Sequence, residues 1–267
     1  MVAIKHEGGG VTTIPPVGKS NNYLFLRKAQ LAEEKVFDAS LKFVEVDKTT
    51  SDLMKNLNLG LEILNIIMDS YRPKSELEAV IKDGILPRLL NSSVVSLRVL
   101  LIGYYQVSFA LQRDLIEIKF LADYFTTYPS KILEWKNSTD KQRKRLFSMR
   151  ELYTALDKRD GYKNEQRKKS YQRFSEYATH LNYKGAVMLT KGDTILAGPF
   201  YDENKLGNAL FELTMQFGHA FVLSTSNLRI TDKKLLVSQL GFMSQYGKVF
   251  NLKEPRIIVP KNRVALP

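Results

Sequence analysis

Apolar residues fall three and four positions apart along most of the chain, the spacing that gives a helix one greasy face. From Leu24 to about Val46, Leu31, Phe37, Leu41 and Val44 recur among charges and predict a first helix. A second is expected over Leu53–Met68, behind the N-cap residues Ser51 and Asp52, and stops before Arg72-Pro73. Ser75 and Glu78 give a capping-box-like start to a third, which runs to about Leu90 with Pro87 breaking or bending it. Ser92 or Ser93 is then expected to cap a long apolar helix reaching Tyr128-Pro129.

Beyond Pro129 the pattern predicts a short helix at Ile132–Trp135 and a longer one over Asp140–Leu156, striped by Leu146, Met149, Tyr153 and Leu156. Asp160-Gly161 marks a turn before a helix over Asn164–Leu181. Ala186–Thr190 and Thr194–Ala197, joined by Lys191-Gly192-Asp193, form the only persuasive strand pair. Helices over Asp202–Ser224 and Asp232–Tyr246 complete the series. The expected fold is mainly α, a helical bundle with one small β-hairpin. A flexible tail over residues 1–22, one helical domain over 23–250 and an extended tail over 251–267 are the expected organisation.

Composition narrows the chemistry. The chain has no cysteine among 267 residues, which excludes disulfides, thiolate metal sites and a cysteine nucleophile. Three histidines (His6, His180 and His219) are too few for a multi-histidine metal centre, so neither metal nor cofactor is expected. His6 reads as incidental and His219 as an interior histidine, with Met215, Phe217 and Phe221 as core. Gly8-Gly9-Gly10 stands where a secretion signal would need an apolar run. Val94–Leu111 is about long enough to cross a bilayer, but Arg98, Gln106 and Ser108 interrupt it, so a buried bundle helix is the better reading. The expectation is a cytoplasmic protein without stable membrane insertion. Gly18-Lys19-Ser20 is no phosphate loop, because Thr13 stands where that loop needs glycine and no strand precedes it.

The formal net charge is +12, and the stretch from Lys131 to Arg173 holds 14 basic residues against 6 acidic, two-thirds of that excess. Lys141, Arg143, Lys144 and Arg145 form one cluster, and Arg167, Lys168 and Lys169 another. Such a band attracts polyanions in a salt-dependent way, and these seven residues are candidate nucleic-acid contacts; a solvated helix face is the plainer alternative.

Arg173, Glu176, Tyr177 and His180 would share one face of a regular helix. A cation, a carboxylate, a phenol and an imidazole in one stripe suit phosphodiester cleavage, with His180 as general acid or base and Arg173 stabilising charge on the phosphate. An RNA substrate supplies its own 2′-hydroxyl nucleophile. Seven helical residues rise roughly 10 Å, so Arg173 and His180 of one helix hardly converge; two antiparallel copies could pair them, which makes a homodimer the expected active form. The plain alternative is a polar seam with Glu176 bound to its neighbours. Arg113 and Glu117, four apart on the long apolar helix, pair with each other, or Glu117 orients His180.

Leu111-Gln112-Arg113-Asp114-Leu115-Ile116-Glu117 resembles the Arg-x3-Glu helix of bacterial HEPN-like helical proteins. Tyr171–His180 resembles their second signature, a Tyr- and Ser-containing helix ending in histidine, and Arg173 and His180 fit the family's Arg-x4–6-His motif. The resemblance spans roughly residues 90–225. It implies a metal-independent, dimeric endoribonuclease of toxin or anti-phage type, a possible cognate antitoxin, and catalytic roles for Arg173 and His180. Glu176, Tyr177, Arg113 and Glu117 would support them. The chain departs from the pattern at Phe174, where active members usually carry a polar residue. A non-catalytic helical interaction protein of a defence or stress system is the alternative from another class.

Overall fold

Asp47 shows how the chain builds helices and turns between them. Its extended backbone ends α1 (Leu24–Val46), and its carboxylate accepts the Thr50 N–H at 2.8 Å to start α2 (Lys48–Ser70). One residue thus closes one helix and opens the next, a turn earlier than Ser51 and Asp52 would have placed the start. The computed structural model in which this is seen describes residues 4–5, 11–12, 23–163, 165–179 and 183–252. Within the expected N-terminal tail, β1 (Ile4–Lys5) pairs antiparallel with β2 (Val11–Thr12).

Ser75 caps α3 (Glu76–Val80), and Glu78, almost fully buried, turns its carboxylate back to the Lys74 N–H at 2.6 Å. A π-helical turn at Ile81–Ile85 follows and leads into α4 (Leu86–Leu101). Pro87 cannot donate to the preceding turn, and the wider π turn directly before it absorbs that loss, so the chain stays helical through a local departure from α geometry where the sequence predicts a break or a bend. Ser92 and Ser93 are interior to α4 rather than caps; Ser93 Oγ bonds the Leu89 carbonyl at 2.7 Å. The apolar run instead breaks at Gly103, whose φ of +87° no other residue takes easily. The chain resumes as α5 (Tyr105–Thr127). Val94–Leu111 is therefore two helix ends and a turn. Among the described residues one helix, Glu76–Leu101, is long and apolar enough to cross a membrane by length and composition, and 39% of its most apolar window is buried in the bundle.

α6 (Lys131–Asn137), α7 (Asp140–Leu146) and α8 (Met149–Asp160) follow. The one helix expected over Asp140–Leu156 is split because Phe147 leaves helical geometry and Ser148 caps α8 through the Glu151 N–H. α9 (Gln166–Phe174) runs on into a second π-helical turn, Ser175–Thr179. α10 (Tyr183–Ala186) and a 3-10 turn at Val187–Leu189 occupy most of the first expected strand. The hairpin shrinks to β3 (Thr190–Lys191) against β4 (Thr194–Ile195), about the Lys191-Gly192-Asp193 turn. α11 (Glu203–Thr225) and α12 (Lys233–Val249) begin where expected, capped by Asp202 and Asp232.

α5 lies at the centre against α4, α8, α9 and α11. Tyr105 meets Asp202, Gln112 meets Ala209 and Lys119 meets Gln216, so α5 and α11 run parallel at a constant offset of 97 residues. These polar rungs recur every seven residues, two helical turns, along an otherwise apolar seam. Leu57, Leu64, Leu86, Leu89, Leu115, Phe125, Leu213, Phe217 and Phe242 fill the main core, each fully buried side chain contributing roughly 2 kcal/mol. A smaller core of Leu100, Tyr105, Phe200 and Leu206 lies under the α4–α5 turn.

Candidate nucleic-acid interface

Thr139 and Gln142 form a full capping box that holds α7 in place although the helix buries no side chain of its own. Lys141, Lys144 and Arg145 are spaced three and four apart, so they share one exposed face. Among the described residues none of the three has an ion-pair partner; Arg143 pairs with Asp140 at 3.1 Å.

The second basic cluster divides. Arg167 turns inward, with its side chain only 16% exposed, and binds Asp157 at 2.8 Å as well as Asp160. Asp123 of α5 lies 3.7 Å from the same guanidinium and is gripped from the other side by Arg159 at 2.6 Å. Arg167 is thus a clasp holding α9 to α8 and α5, and it is withdrawn from the surface expected of it, because three aspartates converge where it enters. The Arg159 and Arg167 guanidinium groups hold the Asp160 carboxyl down at about 2. Lys168 pairs with Glu165 at 2.9 Å, while Lys169 faces solvent and shares a face of α9 with Arg173, four residues on.

α9 runs antiparallel to α5: Asp123 meets Arg167, Arg113 and Glu117 meet Tyr171, and Phe109 meets Phe174. The Tyr171 hydroxyl donates to Glu117 Oε1 at 3.0 Å and accepts from Arg113, whose guanidinium also lies over the phenol ring at 4.7 Å. Arg113 and Glu117 pair directly at 3.1 Å. Burial first, and then the Glu117 charge, raise the Tyr171 hydroxyl above its ordinary range. Arg113 and Glu117 are therefore joined through Tyr171, which the sequence marks only as the start of the Tyr171–His180 segment. Phe174, the departure from the family pattern, is buried against Phe109 and anchors α9.

Arg173 is half exposed and binds Glu212 of α11 at 2.5 Å. Glu212 Oε2 accepts from Gln216 Nε2 at 3.4 Å, and Gln216 Oε1 accepts from Lys119 Nζ at 2.8 Å. A continuous relay thus runs from a surface guanidinium to a partly buried ammonium. Desolvation, with the Arg167 charge, lowers Lys119 to about 8. His219, one turn beyond Gln216, lies edge-on to Tyr246; burial and the Lys119 charge lower it to about 4, so it is a neutral interior histidine at pH 7.

Glu176 and Tyr177 are half-buried within the π-helical turn. That turn breaks the regular spacing assumed for the Arg173-to-His180 stripe, since a π turn takes more residues than an α turn. His180 lies outside the described residues. Among the described residues, no group of three or more His, Asp or Glu side chains could hold a metal ion. Glu212, Gln216 and Lys119 are not singled out by apolar spacing or charge clustering in the sequence. The seven-residue recurrence of Tyr105, Gln112 and Lys119 is a sequence signal for Lys119 and its partner Gln216, and Glu212 has none. No family model, curated protein or solved structure matches the chain.

Proposed function

We propose that this protein binds RNA as a helical protein of HEPN-like type. The observation that carries the reading is the exposed face of α7, where Lys141, Lys144 and Arg145 stand together without ion-pair partners among the described residues. Lys169 and Arg173 extend the cationic surface along α9. Lysine and arginine at such spacing contact successive backbone phosphates, which gives affinity without base readout.

Metal-independent cleavage is the enzymatic form of this reading. Arg173 would stabilise the phosphate, His180 would move the proton, and a second copy would complete the site in a homodimer. The second reading, a non-catalytic interaction protein of a defence or stress system with a cognate partner, is favoured by the Arg173–Glu212 pair, which occupies the guanidinium needed for catalysis.

Cleavage of RNA by purified protein in EDTA, with wild type beside His180→Ala, separates the two. Cleavage that vanishes in the variant while helical circular dichroism is unchanged supports the nuclease. Salt-dependent RNA binding without cleavage by either protein supports the interaction protein. Failure to bind RNA at low salt rejects the RNA reading itself.

A further inference from the structure

We propose that Glu212 holds on Arg173 the place of an RNA phosphate, and that a bound phosphate displaces its carboxylate toward Lys119. The inference rests on the RNA reading above. A carboxylate and a phosphodiester offer a guanidinium the same pair of anionic oxygens, so they compete for it directly. Arg173 is half exposed while Glu212 is mostly covered, so the incoming anion meets the cation from the solvent side. The displaced carboxylate has a destination. Gln216 already bridges Glu212 to Lys119, and Lys119 is a partly buried ammonium whose hydrogen-bond acceptor is a neutral amide oxygen. A buried cation gains most from a full counter-charge, and its depressed proton affinity shows how poorly its present surroundings offset burial.

The seam therefore has two arrangements. In one, Arg173 holds Glu212 and Lys119 holds Gln216, as seen here. In the other, Arg173 holds phosphate and Glu212 moves onto Lys119. Arg167 and Asp123 also act on Lys119 but are committed to the α5–α8–α9 clasp. Glu212 is on this account a positioning residue that sets the affinity of Arg173 for anions.

The test is fluorescence anisotropy of a labelled single-stranded RNA, with inorganic polyphosphate as a second probe. Both are run on wild type, Glu212→Gln, Arg173→Ala, Lys119→Met and the doubles Arg173→Ala/Glu212→Gln and Glu212→Gln/Lys119→Met. Glu212→Gln should bind severalfold tighter at an unchanged salt slope, since Arg173 meets one phosphate in both proteins and only the displacement of the carboxylate is removed. That gain should vanish when Arg173 is also alanine. Lys119→Met should weaken binding in the wild-type background and have no effect beside Glu212→Gln, since no carboxylate is then left to displace. Unchanged or weaker binding by folded Glu212→Gln overturns the inference, as does a gain that survives Arg173→Ala. Tighter polyphosphate binding by Glu212→Gln without RNA binding by any variant keeps the displacement and rejects the RNA reading. Binding of neither probe rejects both.

Discussion

His219 and Tyr171 are both covered polar residues, and their environments give opposite predictions. His219 is held near 4 against an ordinary 6.5. Between those values the unfolded chain takes up a proton that the folded one refuses, so stability falls as pH drops from 6.5 to 4 and is flat below. The contribution at stake is on the order of 3 kcal/mol. Urea titrations at pH 7 and pH 4.5 should show a smaller stability difference for His219→Gln than for wild type; an equal difference would mean that the imidazole titrates normally. Asp160 acts in a separate, lower window, below its ordinary 3.8 and down to about 2. Tyr171→Phe tests the other case. It removes the hydroxyl between Arg113 and Glu117 but leaves their ion pair and the ring beneath the guanidinium. The expected loss is about 1–2 kcal/mol in chemical denaturation, and a loss near zero would show that the direct ion pair suffices.

Gly103 and Gly84 carry the matching test for elements. A β-carbon on Gly103 would lie 2.4 Å from the Phe200 carbonyl oxygen, and its φ is +87°. Gly103→Ala should therefore cost roughly 2–4 kcal/mol, seen as a lower urea midpoint at unchanged slope. Gly84, in the first π-helical turn, has nothing within 4 Å of its added β-carbon, so Gly84→Ala should be neutral or stabilise by up to about 1 kcal/mol. A tolerated Gly103→Ala would mean that the α4–α5 turn does not depend on this close approach. The same turn shows where the sequence was legible. Helix existence followed from apolar spacing, and the starts of α11 and α12 followed from Asp202 and Asp232, because a cap is local chemistry. The break at Gly103 did not follow, since an isolated glycine in an apolar run signals a turn only once Phe200, nearly a hundred residues away, packs against it. Pro87 marked the place of a departure from α geometry but not its kind, a π turn that absorbs the hydrogen bond the proline lacks. Arg113 and Glu117 were legible as an ion pair four apart on one helix. Tyr171 and Glu212, which complete the two seams, are joined to their partners only by tertiary packing.

Charge works at the scale of the whole molecule, and folding redistributes it. The sequence concentrates +8 of its +12 between residues 131 and 173, and Glu76, Asp123 and Glu212, from outside that stretch, meet part of the excess. Arg159 and Arg167 hold aspartates, Lys136 holds Glu76, Lys131 holds Glu134, and Arg173 holds Glu212. The cations left to meet a polyanion are fewer than the composition suggests, with Lys141, Lys144, Arg145 and Lys169 foremost. With Arg173, which meets a phosphate once Glu212 is displaced, these make five contacts, and on a single strand they predict a slope of log K against log salt of about −3.5. Replacing Lys141, Lys144 and Arg145 together by glutamine should reduce that slope to about −1.4. Because the three side chains are exposed and the one contact of α7 with the core is Leu146, the same variant should melt within a few degrees of wild type. Binding and stability are thus separable on this surface, unlike at the Arg167 clasp, where loss of the arginine would leave Asp157 and Asp123 covered and short of counter-charge. A triple variant with a wild-type slope would move the interface away from α7. A triple variant that lost its slope and its fold together would show that α7 is structural after all.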